Sequence, residues 1–83
     1  MTTILIIEDE KHTRENLATI LEMEGYQPLT AADGASGVAS ALREVPNLIL
    51  CDVTMPKLDG LGVLAALRKD PRTATVPFIF LTA

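Results

Sequence analysis

The chain has 83 residues and a formal net charge of −4, and nearly half of its residues are apolar although Trp is absent. These values describe one small globular domain, because a disordered chain would carry fewer apolar residues. The longest apolar run is too short to span a bilayer, and the scattered basic residues form no cationic stripe for nucleic acid. A single cysteine and the lack of a secretory leader favour a reduced, cytoplasmic setting. We therefore expect a cytoplasmic domain that neither enters a membrane nor binds nucleic acid directly.

In chain order, four short apolar runs alternate with three amphipathic patterns, which predicts a βαβαβαβ domain. The predicted strands cover residues 3–7, 26–30, 48–53 and 76–82. The first and third runs are continuously apolar, as in parallel strands that are covered on both faces, so they are the predicted central strands. Pro28 cannot donate a ladder hydrogen bond, which places the second strand at an edge of the sheet.

The three amphipathic patterns predict one-sided helices with clear ends. Helix 1 covers about residues 11–24 and ends at Gly25, helix 2 is capped by Asp33 and ends at Pro46, and helix 3 covers about residues 61–69. The positions predicted to face the core are Leu17, Ile20 and Leu21 in helix 1, Ala35, Val38, Ala39, Leu42 and Val45 in helix 2, and Leu61, Leu64 and Leu67 in helix 3.

Right-handed crossovers put helix 1 on one face of the sheet and helices 2 and 3 on the other, with the strand order 2-1-3-4. In open parallel sheets a ligand lies beyond the carboxyl ends of the strands where the order reverses, here between strands 1 and 3. The residues at those two ends are Glu8, Asp9 and Asp52. Three acidic side chains are therefore expected to converge, although more than forty residues separate them in the sequence.

Carboxylates a few ångströms apart repel each other unless they are protonated or bridged by a cation. Mg²⁺ suits such a cluster, because it prefers oxygen ligands and commonly binds one or two carboxylates together with phosphate oxygens. Glu8 and Asp9 alone could simply be solvated acids at the start of helix 1. Asp52 directly follows an apolar central strand, where a carboxylate needs a metal or a charged partner. The three acids together predict a magnesium site.

Two other polar residues have simpler interpretations. Cys51 is flanked by apolar residues and is predicted to be an inert core thiol. His12 has no second His or Cys nearby, so an exposed position is expected rather than a transition-metal ligand.

Three segments carry a family resemblance: Ile-Ile-Glu-Asp-Glu at residues 6–10, Leu-Ile-Leu-Cys-Asp-Val-Thr-Met-Pro-Lys-Leu-Asp-Gly at residues 48–60, and Val-Pro-Phe-Ile-Phe-Leu-Thr-Ala at residues 76–83. With these segments the whole chain resembles the receiver domain of two-component response regulators. The resemblance implies a flavodoxin-like α/β fold, a three-layer open parallel sheet with strand order 2-1-3-4.

The resemblance also implies roles for individual residues. Asp52 would accept a phosphoryl group from a sensor histidine kinase or a small phosphodonor. Glu8, Asp9, Asp52 and the backbone carbonyl of Thr54 would bind Mg²⁺, and the hydroxyl of Thr82 would act as the switch residue. Such a chain would catalyse its own phosphorylation and slow dephosphorylation, which is not conventional enzyme activity. Without the family context, Thr82 could be only a β-branched strand end.

The family pattern continues with a fourth helix, a fifth strand and a fifth helix, so residues 1–83 are interpreted as a receiver domain truncated after strand 4. The missing part would include a phosphate-contacting lysine. We expect the exposed surface to drive formation of a homodimer, either through the edge of strand 4 or through helix 1. The alternative function is a phosphorylation-impaired fragment that acts as a structural or self-associating module.

Overall fold

A computed structural model of the chain describes residues 1–81. Its elements, in chain order, are β1 (Thr3–Ile7), α1 (Lys11–Met23), β2 (Gln27–Ala31), α2 (Gly34–Glu44), β3 (Leu48–Asp52), α3 (Gly60–Lys69) and β4 (Phe78–Leu81). The predicted alternation of strands and helices is confirmed. No helix in this described range has both the length and the apolarity needed to cross a membrane.

The four strands form one parallel sheet in the order β2-β1-β3-β4. This order confirms the predicted flavodoxin-like architecture, and β2 with Pro28 lies at an edge as expected. Ile7 at the end of β1 is in register with Cys51 of β3. The carboxyl ends of the two central strands therefore lie side by side, and the residues that follow Ile7 meet Asp52.

Four strand boundaries differ from the prediction: both ends of β2 lie one residue later, β3 ends at Asp52 rather than at residue 53, and β4 begins two residues later. β2 begins at Gln27, one residue later than predicted, because Tyr26 still belongs to the helix end and its N–H donates to the Leu21 carbonyl. β4 begins at Phe78 rather than at Val76, because the Val76 N–H donates to the Thr73 carbonyl and closes a turn. The predicted end of this strand at residue 82 lies outside the described residues.

The hydrophobic core lies between the sheet and the helices α2 and α3. Leu5, Ile7, Ile49 and Cys51 alternate along the central strands toward these helices, while Ile4 and Ile6 are buried on the opposite face. Alternate residues of a strand point to opposite faces, so β1 is covered on both sides. The core residues from the loops and helices are Ala41, Met55, Val63, Leu67 and Val76.

The predicted buried faces of the helices are wrong in several places. α1 contains no buried residue, and Ile20 is 55% exposed. Four further residues that were predicted to face the core are exposed: Ala35, Ala39, Val45 and Leu61. Leu67 is buried as predicted, and Val38 and Leu42 are half-buried against the core. The other buried helix positions are Gly34, Gly37, Ser40 and Ala41 in α2, and Gly60 and Val63 in α3.

Close packing of α2 on β1 explains why small residues form its buried face. A Cβ atom at Gly37 would lie only 2.5 Å from Cδ1 of Ile7. The apolar periodicity of α2 predicts that its larger apolar side chains face the core. The interface between α2 and β1 has room only for small residues. Val45 is the C-cap of α2 with a left-handed φ of 43°, so it has left the helical stripe.

Capping side chains define the starts of all three described helices. Asp33 accepts a hydrogen bond from the N–H of Ser36, as predicted, and Asp59 caps α3 in the same way through Gly62. Glu10 caps α1 by accepting from the N–H groups of residues 12 and 13. At the other end of α1, Gly25 has a φ of 90°, which confirms its predicted left-handed conformation.

The connection between α3 and β4 is held by side chains that bind its backbone. Nη1 of Arg68 donates to the carbonyls of Ala74 and Val76 at 2.7 and 2.9 Å. The hydroxyl of the buried Thr73 donates to the Leu67 carbonyl at 2.7 Å. These bonds hold the connection that leads into β4, and the pairing of β4 with β3 brings Leu81 opposite Asp52.

Arg72→Gln is expected to raise the pKa of Asp70 from about 2 part of the way toward its ordinary value. The Arg72 side chain donates hydrogen bonds to this carboxylate, and the backbone N–H of residue 72 adds one that the substitution keeps. Because the folded-state pKa is lowered, the pair contributes stability above the unfolded value of about 3.9, and this is lost as the pH falls toward the folded value. Carboxyl NMR titration measures the change, with Lys69→Gln as the control. An unaltered Asp70 titration in the Arg72 variant would contradict the assignment.

Candidate metal centre

The acidic residues after β1 and at the end of β3 meet at the carboxyl edge of the sheet. Carboxylate oxygens of Glu8, Asp9 and Asp52 all lie within 4.8 Å of one another. The structure therefore brings together the three acids that the topology was expected to bring together. The register between β1 and β3 produces this arrangement, since Asp52 is the residue after the Ile7–Cys51 pair.

The three acids differ in exposure. Glu8 is buried, with 6% of its surface accessible, whereas Asp9 is exposed and Asp52 is half-buried. Glu8 is fixed at two points: its N–H donates to the Ala31 carbonyl at 3.1 Å, and its Oε2 accepts from the Glu10 N–H at 3.0 Å. Burial raises the pKa of Glu8 above its ordinary value, the Glu10 N–H partly offsets this, and Asp9 and Asp52 raise it further.

Arg14 is the cation that contacts the loop after β1, and it binds the backbone rather than the acids. Its Nη1 donates to the carbonyl oxygens of Glu8 and Asp9 at 2.8 and 3.4 Å. Within residues 1–81 the ion pairs are Arg43 with Glu44 and Arg72 with Asp70. No side-chain ion pair in this range neutralises the acidic cluster, so its carboxylates are available to an external cation.

The donor set and the space around it fit a hydrated divalent cation. A cavity of about 430 Å³ opens onto the three carboxylates. It is lined by Glu8, Asp9, Glu10, Thr13, Leu17, Asp52 and Leu81. Oxygen-only ligands with room for water and a further anion are the surroundings that Mg²⁺ prefers.

The loop between β3 and α3, residues 53–59, borders the cluster. Thr54, the predicted backbone ligand, is exposed two residues after Asp52, and the next residue, Met55, is buried in the core. Lys57 has a φ of 65°, in the left-handed region. The loop closes where the Gly60 N–H donates to the Val53 carbonyl at 2.9 Å. Thr82, the predicted switch residue, lies outside the described residues.

Two functional contacts were not predicted from the sequence. Glu10 was named only within the segment 6–10 that carries the family resemblance, yet its side chain caps α1. An acid directly before a helical pattern is the signal that could have indicated this role. Arg14 braces the Glu8 carbonyl from the second turn of α1, and only the three-dimensional path of the chain reveals that contact.

Cys51 and His12 occupy the positions that were expected. Cys51 is fully buried, and burial together with the negative charge of Asp52 raises the pKa of its thiol to about 12. Its Sγ lies 3.3 Å from the Asp52 carbonyl oxygen. His12 is exposed at the start of α1.

The chain is thus an open parallel α/β domain in which three carboxylates that could hold a metal ion lie where the strand order reverses, the usual ligand position of such sheets. The family model described as the response regulator receiver domain matches residues 4–83. The chain belongs to this family.

Similar proteins include several transcriptional regulators and a protein named PilH. The DNA-binding dual master transcriptional regulator RpaA of Synechocystis is 43% identical over 83 residues, which are 34% of its own length. Protein PilH of Pseudomonas aeruginosa is 39% identical over 82 residues, which are 68% of its length. The chain therefore spans about a third of the length of the first group.

Solved receiver structures superimpose closely on the whole chain. The N-terminal domain of a response regulator receiver protein from Methanoculleus marisnigri has a TM-score of 0.96 at 34% identity, covering all of this chain and 68% of that one. The receiver domain of the sensor histidine kinase PA1611 from Pseudomonas aeruginosa has a TM-score of 0.94 at 34% identity, covering 99% of this chain and 67% of that one. In that structure a magnesium ion is coordinated in the active-site cleft.

Proposed function

We propose that this receiver domain accepts a phosphoryl group on Asp52 from a sensor histidine kinase or a small phosphodonor, with Mg²⁺ as cofactor. The observation that carries the proposal is the convergence of three carboxylates within 4.8 Å, with no side-chain ion pair to them in the described range. A purely structural or self-associating module has no need for such a cluster. Mutual repulsion would only lower its stability.

Asp52 is the proposed nucleophile. One oxygen of its carboxylate forms a bond to phosphorus while the bond between phosphorus and the imidazole nitrogen of the donor breaks, and the electron pair leaves with that nitrogen. The product is an acyl phosphate on the chain. Asp52 is half-buried at the end of a central strand, where it is in register with Leu81 of β4, and it lines the cavity.

Glu8, Asp9, Asp52 and the carbonyl of Thr54 are the proposed ligands of Mg²⁺. When bound, the cation would neutralise charge on the phosphoryl oxygens during transfer. Glu8 is held toward the site by the Glu10 N–H, and Arg14 fixes the backbone of Glu8 without occupying its carboxylate. The magnesium ion in the PA1611 receiver domain supports the assignment.

The proposal also includes a switch residue, a cellular location and a limit on the binding partners. We assign the switch hydroxyl to Thr82 by its position after β4 in the sequence, and we place the chain in the cytoplasm, where a kinase can reach it. We expect no direct binding of nucleic acid, because the chain has a negative net charge and would be repelled by phosphate groups. Any contact with DNA would come from other parts of a longer regulator.

Intact-protein mass after incubation with Mg²⁺ and acetyl phosphate tests the proposed function. We expect one labile phosphoryl adduct on the wild-type chain, and none on Asp52→Asn or in the presence of a chelator. Asp33→Asn is a matched control, because it changes an acid outside the cluster that caps α2. A folded wild-type chain that forms no adduct would contradict the proposal and favour the structural module.

We also propose that the 83-residue chain forms a homodimer through β4. In the described part of the chain β4 pairs with β3 alone, and its residues include no charge or proline, the usual protection of an exposed edge. The other edge strand carries Pro28, and Ile79 of β4 is 51% exposed. Antiparallel pairing of two β4 strands about a twofold axis would satisfy the free backbone groups.

Sedimentation velocity over a concentration series tests this association. We expect a dimer for the wild-type chain and a monomer for Ile79→Lys, because a charge on the outer strand opposes edge pairing. Ile20→Lys on α1 is the control and should remain dimeric. A folded wild-type monomer at high concentration would refute the dimer, and a monomeric Ile20→Lys variant would point to α1 instead.

A further inference from the structure

We propose that Gly34, the first residue of α2, is a positioning residue that holds the loop between β3 and α3 in place for cation binding. The inference rests on the proposed function, because it concerns the same cluster of acids. It adds a residue that is neither a ligand nor a nucleophile and that lies in α2, away from the strand ends that carry the acids.

The contact between α2 and the loop is closer than any side chain would permit. A Cβ atom at Gly34 would lie 2.3 Å from the carbonyl oxygen of Leu58 and 2.9 Å from its Cβ. The obstructing oxygen belongs to the backbone, so it cannot rotate away as the tip of a side chain could. Relief of the clash requires movement of the loop or of the helix.

Backbone conformation does not explain the glycine. Among the glycines of residues 1–81, only Gly25 has a positive φ. Inside a helix, alanine is favoured over glycine by about 0.5–1 kcal/mol. The first turn of α2 is already anchored by Asp33, whose Oδ1 accepts from the Ser36 N–H at 2.7 Å. The close approach to Leu58 is therefore the physical reason for a glycine here.

The loop transmits a displacement of Leu58 to the site, because it is short and anchored along its length. Met55 is buried in the core, and the Gly60 N–H is bonded to the Val53 carbonyl. A Cβ atom at Gly60 would lie 2.4 Å from the Asp52 carbonyl oxygen, so this end of the loop also packs against the strand that carries the nucleophile. Little slack remains between Leu58 and the carbonyl of Thr54.

A groove joins the contact to the acids. Its volume is about 370 Å³, and its walls include Asp9 from the cluster, the start of α2 and the tip of the loop. The lining residues are Asp9, Ala32, Asp33, Gly34, Ala35, Pro56, Lys57 and Leu58. One wall of the cation site is therefore continuous with the surface against which Gly34 holds the loop.

Gly34→Ala tests the inference, with Gly62→Ala as a matched control. A Cβ at Gly62 would meet Leu58 as well, but at its Cδ1, 2.5 Å away, which can rotate aside. We expect Gly34→Ala to weaken Mg²⁺ binding in calorimetry about 10- to 100-fold, as loss of support around metal ligands typically does. Hydrogen exchange of the Gly60 amide without metal should accelerate. Gly62→Ala should leave both values near those of the wild type.

Leu58→Ala changes the other partner of the contact, and it tests the inference if Gly34→Ala does not fold. It loosens the loop instead of crowding it, and we expect weaker Mg²⁺ binding and faster exchange of the Gly60 amide. A folded Gly34→Ala variant with wild-type Mg²⁺ affinity would overturn the inference. So would equal losses in Gly34→Ala and Gly62→Ala, or a folded Leu58→Ala variant with unchanged affinity and exchange.

The two proposals fail in different ways. A wild-type chain that binds no Mg²⁺ would refute the proposed cation site, and exchange of the Gly60 amide would then decide the inference alone. Faster exchange in Gly34→Ala but not in Gly62→Ala would support the role of Gly34 in holding the loop. Unchanged exchange in both variants would refute it.

Discussion

Asp9→Asn is expected to stabilise the chain in metal-free buffer and to remove most of the stabilisation that Mg²⁺ gives the wild type. The three carboxylates have oxygens within 4.8 Å of one another. Two unit charges at that distance repel by roughly 3.5 kcal/mol at an effective dielectric constant of about 20, and by roughly 0.9 kcal/mol in bulk water. Asp9 is exposed, so we expect a gain of about 1 kcal/mol in the free energy of unfolding.

In the presence of Mg²⁺ we expect the wild-type chain to be more stable than Asp9→Asn. A ligand at 100 times its dissociation constant stabilises the folded state by about 2.7 kcal/mol. For a domain of this size, that gain raises the Tm by about 10 to 20 °C. The wild-type chain should show this rise, whereas Asp9→Asn, which has lost a charged ligand, should show little of it at the same concentration.

Urea unfolding with and without Mg²⁺ measures both effects. Glu22→Gln is the matched control, because it removes one negative charge from the far end of α1 and should keep the full response to Mg²⁺. A metal-free Asp9→Asn variant that is less stable than the wild type would show that the carboxylate makes a favourable contact. An equal Mg²⁺ response in all three chains would place the cation elsewhere.

Leu5→Ala is expected to be the most damaging single core substitution that we consider. Leu5 is fully buried in the central strand β1 and packs in the core beneath α2 and α3. Replacement of a buried leucine by alanine costs about 2–5 kcal/mol, from lost burial and from the cavity that remains. Domains of this kind have a total stability of about 5–15 kcal/mol, so the variant should be largely destabilised.

Ile20→Ala is the informative comparison for this prediction. Both residues were assigned to the core from the apolar pattern, but Ile20 is 55% exposed on α1. We expect its replacement to change the free energy of unfolding by no more than about 0.5 kcal/mol. Chemical denaturation measures both variants. A large loss for Ile20→Ala would mean that α1 packs against a second copy, and a small loss for Leu5→Ala would contradict its place in the core.

Local signals in the sequence predicted the elements and their ends with good accuracy. The cap at Asp33 and the left-handed Gly25 depend on a few neighbouring residues, so they can be read without tertiary information. Pro28 placed β2 at an edge because proline lacks a donor wherever it occurs. Boundaries shifted where a turn competed with the strand, as at Val76.

The helix faces could not be predicted in the same way. Periodicity shows that a helix is amphipathic, but the distance between helix and sheet decides which residues of the stripe are covered. At Gly37 that distance leaves no room for a Cβ beside Ile7, so a glycine is buried while Ala35 and Ala39 are exposed. The pattern of apolar residues in the sequence does not predict the distance between the helix and the sheet.

The sequence by itself determined the parallel α/β architecture and the meeting of Glu8, Asp9 and Asp52, because apolar runs, caps and the handedness of crossovers leave few possible topologies. The tertiary structure decided the details that govern the site. It placed Arg14 on the backbone of the acidic loop, left the carboxylates without a side-chain ion pair in the described range, and seated Leu58 against Gly34. Those contacts join residues that are distant in the sequence or carry no local signal, and a shift of a few tenths of an ångström would alter them, so only the packed chain defines them.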